Sequence, residues 1–185
     1  MFMSGLILPY RNHWPRIAPD VFVAANATVI GNVDIGSDAG VWFGTVIRGD
    51  VNEIRIGPRS NIQDGTIVHV THERHGTYIG AGVTIGHAAI VHGCRLEDGC
   101  FVGMRACVMD GVVVESRAMV AAGALVTPGK RIGSGELWAG SPAKKMRDLT
   151  PVEFAEMERV SALYVSLARE YRALPQAGQP ARTLT

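Results

Sequence analysis

The sequence has little that would anchor it to a membrane, to nucleic acid or to a disulfide framework. No uninterrupted apolar run reaches the length of a bilayer crossing, and residues 1–11 lack the charged start, apolar centre and small-residue cleavage pattern of a secretory signal. A soluble cytoplasmic protein without a membrane partner is expected. The formal net charge is only +1, from 18 basic and 17 acidic residues without a long like-charge run, so the electrostatic footprint of nucleic-acid binding is missing. The three cysteines, Cys94, Cys100 and Cys107, are an odd number and contain no C-x-x-C pair. They read as small buried apolar residues. Aromatics are only 6% of the chain, which excludes a large aromatic core. What is abundant is glycine, with 22 residues, a balance that suits a fold made of many tight turns. At 185 residues the chain is one folding unit.

A repeat of six residues accounts for these turns. Aliphatic side chains recur at Ile17, Val23, Val29, Ile35, Val41 and Ile47, again at Ile56, Ile62 and Val68, then at Ile79, Ile85 and Val91, and from Leu96 through Val102, Val108, Val114, Val120 and Val126 to Ile132. Four residues after the aliphatic the side chain is usually small, as at Ala27, Ala39, Thr45, Ser60, Thr66, Ala89, Cys100, Ala106, Ala118 and Ala124. A period of six fits neither a 3.6-residue helix nor plain strand alternation, but it fits a short strand followed by a tight corner. Three such units close one triangular coil, and stacked coils form a parallel β-helix whose core is a column of aliphatics. The register breaks at three places: nine residues separate Ile47 from Ile56, eleven separate Val68 from Ile79, and five separate Val91 from Leu96. The two insertions are expected as loops thrown out from corners, the longer one carrying His72, Glu73, Arg74 and His75 into solvent.

Beyond Ile132 the period decays, and the β-helix domain is assigned to residues 1–147. Residues 148–174 follow as a helix, with Thr150 as N-cap, Pro151 at the first helical position and Glu153 closing a capping box. Its packed stripe is expected to run through Phe154, Met157, Val160, Ser161, Tyr164, Ala168 and Tyr171. Residues 175–185, rich in Pro, Gln, Gly and Thr, are expected to be a disordered tail.

Counting by coils places three histidines. Val68 and Val91 fall on the same face one coil apart, and His69 and His92 follow them directly, so both imidazoles point outward and stack about 4.8 Å apart at their roots. Two tetrahedral zinc bonds of about 2.0–2.1 Å bring their nitrogens to about 3.4 Å, within reach of such a pair. His87 sits two past Ile85, on the preceding face, and its ring diverges from the others within one chain. A neighbouring subunit packed around a threefold axis would supply a third ligand, and three imidazoles plus water form an open, catalytic type of zinc site. The set also suits cobalt, nickel or ferrous iron. Solvated surface histidines are the plain alternative.

Arg48-Gly49-Asp50, Asn61-Ile62-Gln63-Asp64-Gly65 with His69, and Ile85-Gly86-His87 with Val91-His92-Gly93-Cys94 resemble the γ-class carbonic anhydrases and their relatives near carnitine and phenylacetate genes. The resemblance covers about residues 8–173. It implies an all-β solenoid, a left-handed parallel β-helix of hexapeptide repeats with a C-terminal α-helix packed along it. It implies a homotrimer with intersubunit metal sites, His69 and His92 from one chain and His87 from the next, holding Zn2+, with Fe2+ or Co2+ as alternatives. It further implies reversible hydration of CO2 to bicarbonate, with Gln63 orienting water or bicarbonate and Asn61 beside it, an intersubunit ion pair of Arg48 with Asp50, and Asp64 reinforcing the Arg48 region. Coil counting puts Arg48 in the outward column of His69 and His92. Val51 and His72 stand where the founding enzyme of the class carries glutamates, so His72 is either a substitute proton shuttle or an ordinary loop histidine. Tyr164 matches the family's helix tyrosine, Ser166 replaces the asparagine expected after it, and Tyr171 is the rival. Two other functions fit the residues: a metal-binding trimer with little or no activity, acting as a scaffold, and acyl-CoA transfer or thioester hydrolysis.

Overall fold

A computed structural model describes residues 5–174. The chain winds as a parallel β-solenoid of about seven turns, closed by a single helix. Strands pair in register with the strand one coil on: Ile62 lies between Val41 and Ile85, Val91 between Val68 and Val108, and Leu96 between Ile79 and Val114. Of the nineteen repeat aliphatics only Ile17 and Val23, in the first coil, keep partial exposure; the rest are buried. The corner residues are small because they are buried beside this column. Where they carry a hydroxyl it turns back to the backbone: Ser60 donates to the Gly80 carbonyl at 2.7 Å and Thr66 to that of Gly86 at 3.1 Å. Truncating a central aliphatic such as Ile62 to alanine would cost about 2–5 kcal/mol, since close-packed coils above and below restrict collapse into the cavity.

The two insertions differ from each other. The longer forms the expected polar loop, in which Thr71 and His75 pair and His72 and Glu73 are exposed. The shorter is not a loop. Val46–Ile56 is one eleven-residue strand that turns from one face to the next, and the extra residues are taken up where its pairing with Thr28–Ile35 shifts, between Gly49 and Ile54. Residues 50–53 are passed over by that ladder, and pairing resumes at Ile54, a second buried anchor after Ile47. The solenoid also extends past both ends of the aliphatic period. Leu6–Leu8 pairs with Thr28–Ile30, and Trp138, six residues beyond Ile132, lies opposite Val120. An antiparallel strand, Ala143–Asp148, then closes that sheet.

The helix α1, Pro151–Ala173, starts with the predicted reciprocal capping box between Thr150 and Glu153. It lies along the face built from Phe22–Val23, Gly40–Val41, Asn61–Ile62 and Thr84–Ile85. Met157, Val165 and Ala168 are its buried residues, Val165 replacing Tyr171 on the expected stripe. Tyr171 instead stacks at the helix end against Phe22, Trp42 and Phe43, with ring centroids 5.3–5.7 Å apart. None of the described helices is long and apolar enough to cross a membrane. The expected tail lies outside the described residues.

Candidate metal centre

The pairing brings His69 directly opposite His92, as coil counting required. Their facing nitrogens, Nδ1 of His69 and Nε2 of His92, are 3.1 Å apart. Each ring has a carboxylate on its other nitrogen: Asp50 Oδ1 lies 3.0 Å from His69 Nε2, and Asp110 Oδ1 lies 2.6 Å from His92 Nδ1. Ionised carboxylates only accept, so they draw the N–H to their own side and leave lone pairs on the two facing nitrogens. Two lone pairs at that separation repel unless a cation, either a proton or a metal ion, lies between them. The donor set therefore fits a metal.

Electrostatics reinforce this arrangement. Burial, helped by the nearby Arg48 charge, outweighs the opposing hydrogen bond from Asp50 and pushes His69 below the ordinary imidazole range, so it is neutral at pH 7. Burial works to raise the Asp50 carboxyl, but hydrogen bonds from His69 and Arg48 prevail and hold it below its usual value. Arg48 reaches Asp50 of its own chain. The ion pair expected between subunits thus forms within one, because residues two apart on the strand Val46–Ile56 share a face.

His87 stands at the corner preceding the strand Ile90–His92, whereas His92 is the last residue of that strand and His69 its partner one coil below. Asp64, one coil below at the same corner, places Oδ2 2.9 Å from His87 Nδ1. It serves His87 rather than the expected Arg48 region, since Ile62 and Ile85 are paired and both residues lie two positions further on. Among the described residues, no three His, Cys, Asp or Glu side chains of one chain converge on a metal position. The His69–His92 pair and His87 therefore lie at opposite ends of one short strand.

Around His87 the remaining candidates gather. Gln63 is buried, and its Nε2 donates to Asn61 Oδ1 at 3.0 Å while Asn61 Nδ2 donates to Thr84 Oγ1 at 2.9 Å. The Tyr164 hydroxyl lies 3.4 Å from His87 Nε2, held by an edge-on contact with Trp42. Burial first, and the Asp64 charge second, raise that hydroxyl above the ordinary phenol range and keep it protonated. Gln63, His87 and Tyr164 border a groove of about 270 Å3 with Phe101, Met104, Met119 and Val160. His72, 65% exposed, has the Glu73 carboxylate 3.7 Å away.

No protein-family model matches the chain. Gamma carbonic anhydrase 2, mitochondrial, of Arabidopsis thaliana is 51% identical over 160 residues, covering 84% of this chain but 58% of its own length. The carbonic anhydrase of Geobacillus kaustophilus is 40% identical over 171 residues, covering 92% of this chain and 93% of its own. The chain belongs to the γ-carbonic anhydrase family. A solved hexapeptide transferase family protein from Anaplasma phagocytophilum matches at a TM-score of 0.86 and 46% identity, over 90% of this chain and 98% of that one. The chain spans less than two thirds of the plant γ-carbonic anhydrase named above.

Within this γ-carbonic anhydrase fold the residue that sequence reasoning missed is Asp110. A signal for it existed: Val108 pairs with Val91, which puts Asp110 diagonally one coil above His92.

Proposed function

We propose that the chain is a metal-dependent carbonic anhydrase that interconverts CO2 and bicarbonate at sites shared between the subunits of a homotrimer. His69 and His92 of one subunit and His87 of the next would hold the metal, with zinc first and ferrous iron or cobalt as alternatives. The observation that carries this reading is the His69–His92 pair, whose facing nitrogens stand 3.1 Å apart with the Asp50 and Asp110 carboxylates on the opposite ring nitrogens. His87 carries the same type of carboxylate partner, Asp64, at Nδ1, while its Nε2 faces the Tyr164 hydroxyl at 3.4 Å. Between the two half-sites lie Ile67 and Ile90, exposed neighbours on one face at 45% and 41%, which subunit packing would cover.

A zinc ion in such a set supplies Lewis acidity that brings ionisation of its water near neutral pH. The chain's own residues do the rest. Gln63 has one N–H committed to Asn61, so its carbonyl and second N–H are left to orient an oxygen of substrate or product, and Thr84 keeps Asn61 from turning. The apolar groove beside Gln63 and His87 suits a non-polar gas better than a charged metabolite. Arg48 balances Asp50, so the carboxylate stays ionised under His69. Tyr164 remains a hydrogen-bond donor beside His87.

A second reading, a metal-binding trimer with little turnover, is favoured by two observations: Val51 is apolar where the founding enzyme has an acidic residue, and His72 is well exposed to solvent. Stopped-flow CO2 hydration by metal-free protein, reloaded separately with zinc, cobalt and ferrous iron, separates the two. Metal-dependent hydration is expected. Trimers with full metal occupancy but no hydration with any of the three would leave only the scaffold.

A further inference from the structure

His92 is tied to a carboxylate that is in turn tied to the inserted loop. Asp110 Oδ1 accepts from His92 Nδ1 at 2.6 Å, and its Oδ2 accepts from the Thr71 hydroxyl at 2.7 Å. Room for this carboxylate comes from Gly93: its φ is +56°, and a Cβ there would stand 2.4 Å from Asp110 Oδ1. Thr71 opens the loop, which closes through a hydrogen bond from the Thr71 N–H to the His75 carbonyl at 2.9 Å. Where the chain rejoins the prism, Thr77 donates its hydroxyl to the His69 carbonyl at 2.6 Å and accepts from the Gly93 N–H at 2.9 Å. Both ends of the loop are thus fastened to the strands that carry the two histidines.

We propose that Asp110 is a positioning residue that holds His92 with Nδ1 protonated and Nε2 bare, and that through Thr71 it links this histidine to the loop Thr71–Gly76. The role at the metal rests on the metal-site reading above; the tautomer does not. A carboxylate beside one imidazole nitrogen selects the tautomer and keeps the ring from rotating, and loss of such a partner costs about 10–100-fold in metal affinity. The link makes loop order follow the state of His92, because one carboxylate serves both groups.

Three measurements on the full-length trimer test this. Long-range nitrogen–proton NMR on metal-free protein, in mildly alkaline buffer, is expected to find His92 protonated at Nδ1, and Asp110→Ala to shift it towards Nε2. Zinc release into a chelator should be about tenfold to a hundredfold faster in Asp110→Ala. Asp110→Asn, nearly the same shape, should keep the tautomer through its amide oxygen yet release zinc faster than wild type, since the charge is gone. Thr71→Val, which frees the other oxygen of Asp110, should keep the tautomer, speed zinc release less than Asp110→Ala does, and speed amide exchange in Thr71–Gly76. A His92 tautomer and a zinc release rate indifferent to both Asp110 substitutions would overturn the assignment. A wild-type trimer that takes no zinc, but whose His92 tautomer still depends on Asp110, would support the assignment and sink the metal reading instead.

Discussion

Asp64 and His87 sit at one corner in successive coils, with carboxylate and imidazole 2.9 Å apart, facing away from the His69–His92 pair of the same chain. A ring held in that direction serves a site only if another subunit brings the complement to it.

Mixed trimers test that sharing. His87→Ala and His69→Ala homotrimers should each bind almost no metal, because each site retains two protein ligands. Refolding the two variants together should restore some complete sites, where an intact His87 corner meets an intact His69–His92 pair. Elemental analysis of purified mixed trimers, against each variant refolded alone, checks it; equal, near-zero occupancy in truly mixed trimers rules the shared site out.

The exposed pair Ile67 and Ile90 predicts the assembly itself. Light scattering should give about three times the 19.8 kDa chain mass. The double substitution Ile67→Glu with Ile90→Glu should move the population to monomer and release metal with it, since two charges would be buried without partners. A monomer that keeps its full metal content would contradict the interface site.

Gln63→Leu should retain metal and trimer mass yet lower kcat/KM for CO2 hydration by about a hundredfold to a thousandfold, the scale for losing one aligned hydrogen-bonding group. Thr84→Val, which frees Asn61 and so loosens Gln63, should lower it less. Equal rates in wild type and Gln63→Leu would show that the amide does not meet the reacting oxygen.

Acid should loosen the helix start at a defined place. The Glu153 carboxyl is pulled down to about 2, first by hydrogen bonds from Arg147 and then by the Thr150 N–H and hydroxyl. Its folded value lies below its unfolded one, so its stabilisation is fully present above the ordinary carboxylate range, near pH 4.5, and is lost as pH falls towards 2. Thermal unfolding followed by circular dichroism should show Glu153→Gln less stable than wild type at neutral pH, with the gap closing over that window. A gap independent of pH would locate the effect elsewhere.

Several features could be read from residue order alone because a regular coil imposes them. Once the period is six and three units close a turn, residues one coil apart are backbone partners, so the opposition of His69 and His92, the burial of Val68 and Val91, and the small corner residues follow from counting. The capping box is equally local, involving only Thr150 and Glu153. Trp138 escapes a count of aliphatics because its side chain is aromatic, although its spacing from Ile132 is the same six.

The sequence by itself determined the solenoid, the histidine pair and the divergence of His87, since each depends only on backbone register. Only the tertiary structure decided what each imidazole leans on. Asp50 reaches His69 because the strand absorbs its extra residues between Gly49 and Ile54 instead of ejecting a loop, and that choice depends on Ile54 finding room in the core. Asp110 reaches His92 because Gly93 leaves space for it and Thr71, 39 residues away, holds its other oxygen. Tyr164, not Tyr171, meets His87 because the pitch at which α1 lies on the prism turns Tyr171 into the Phe22–Trp42–Phe43 group. Such contacts turn on packing and side-chain direction across distant segments, which a six-residue period does not encode.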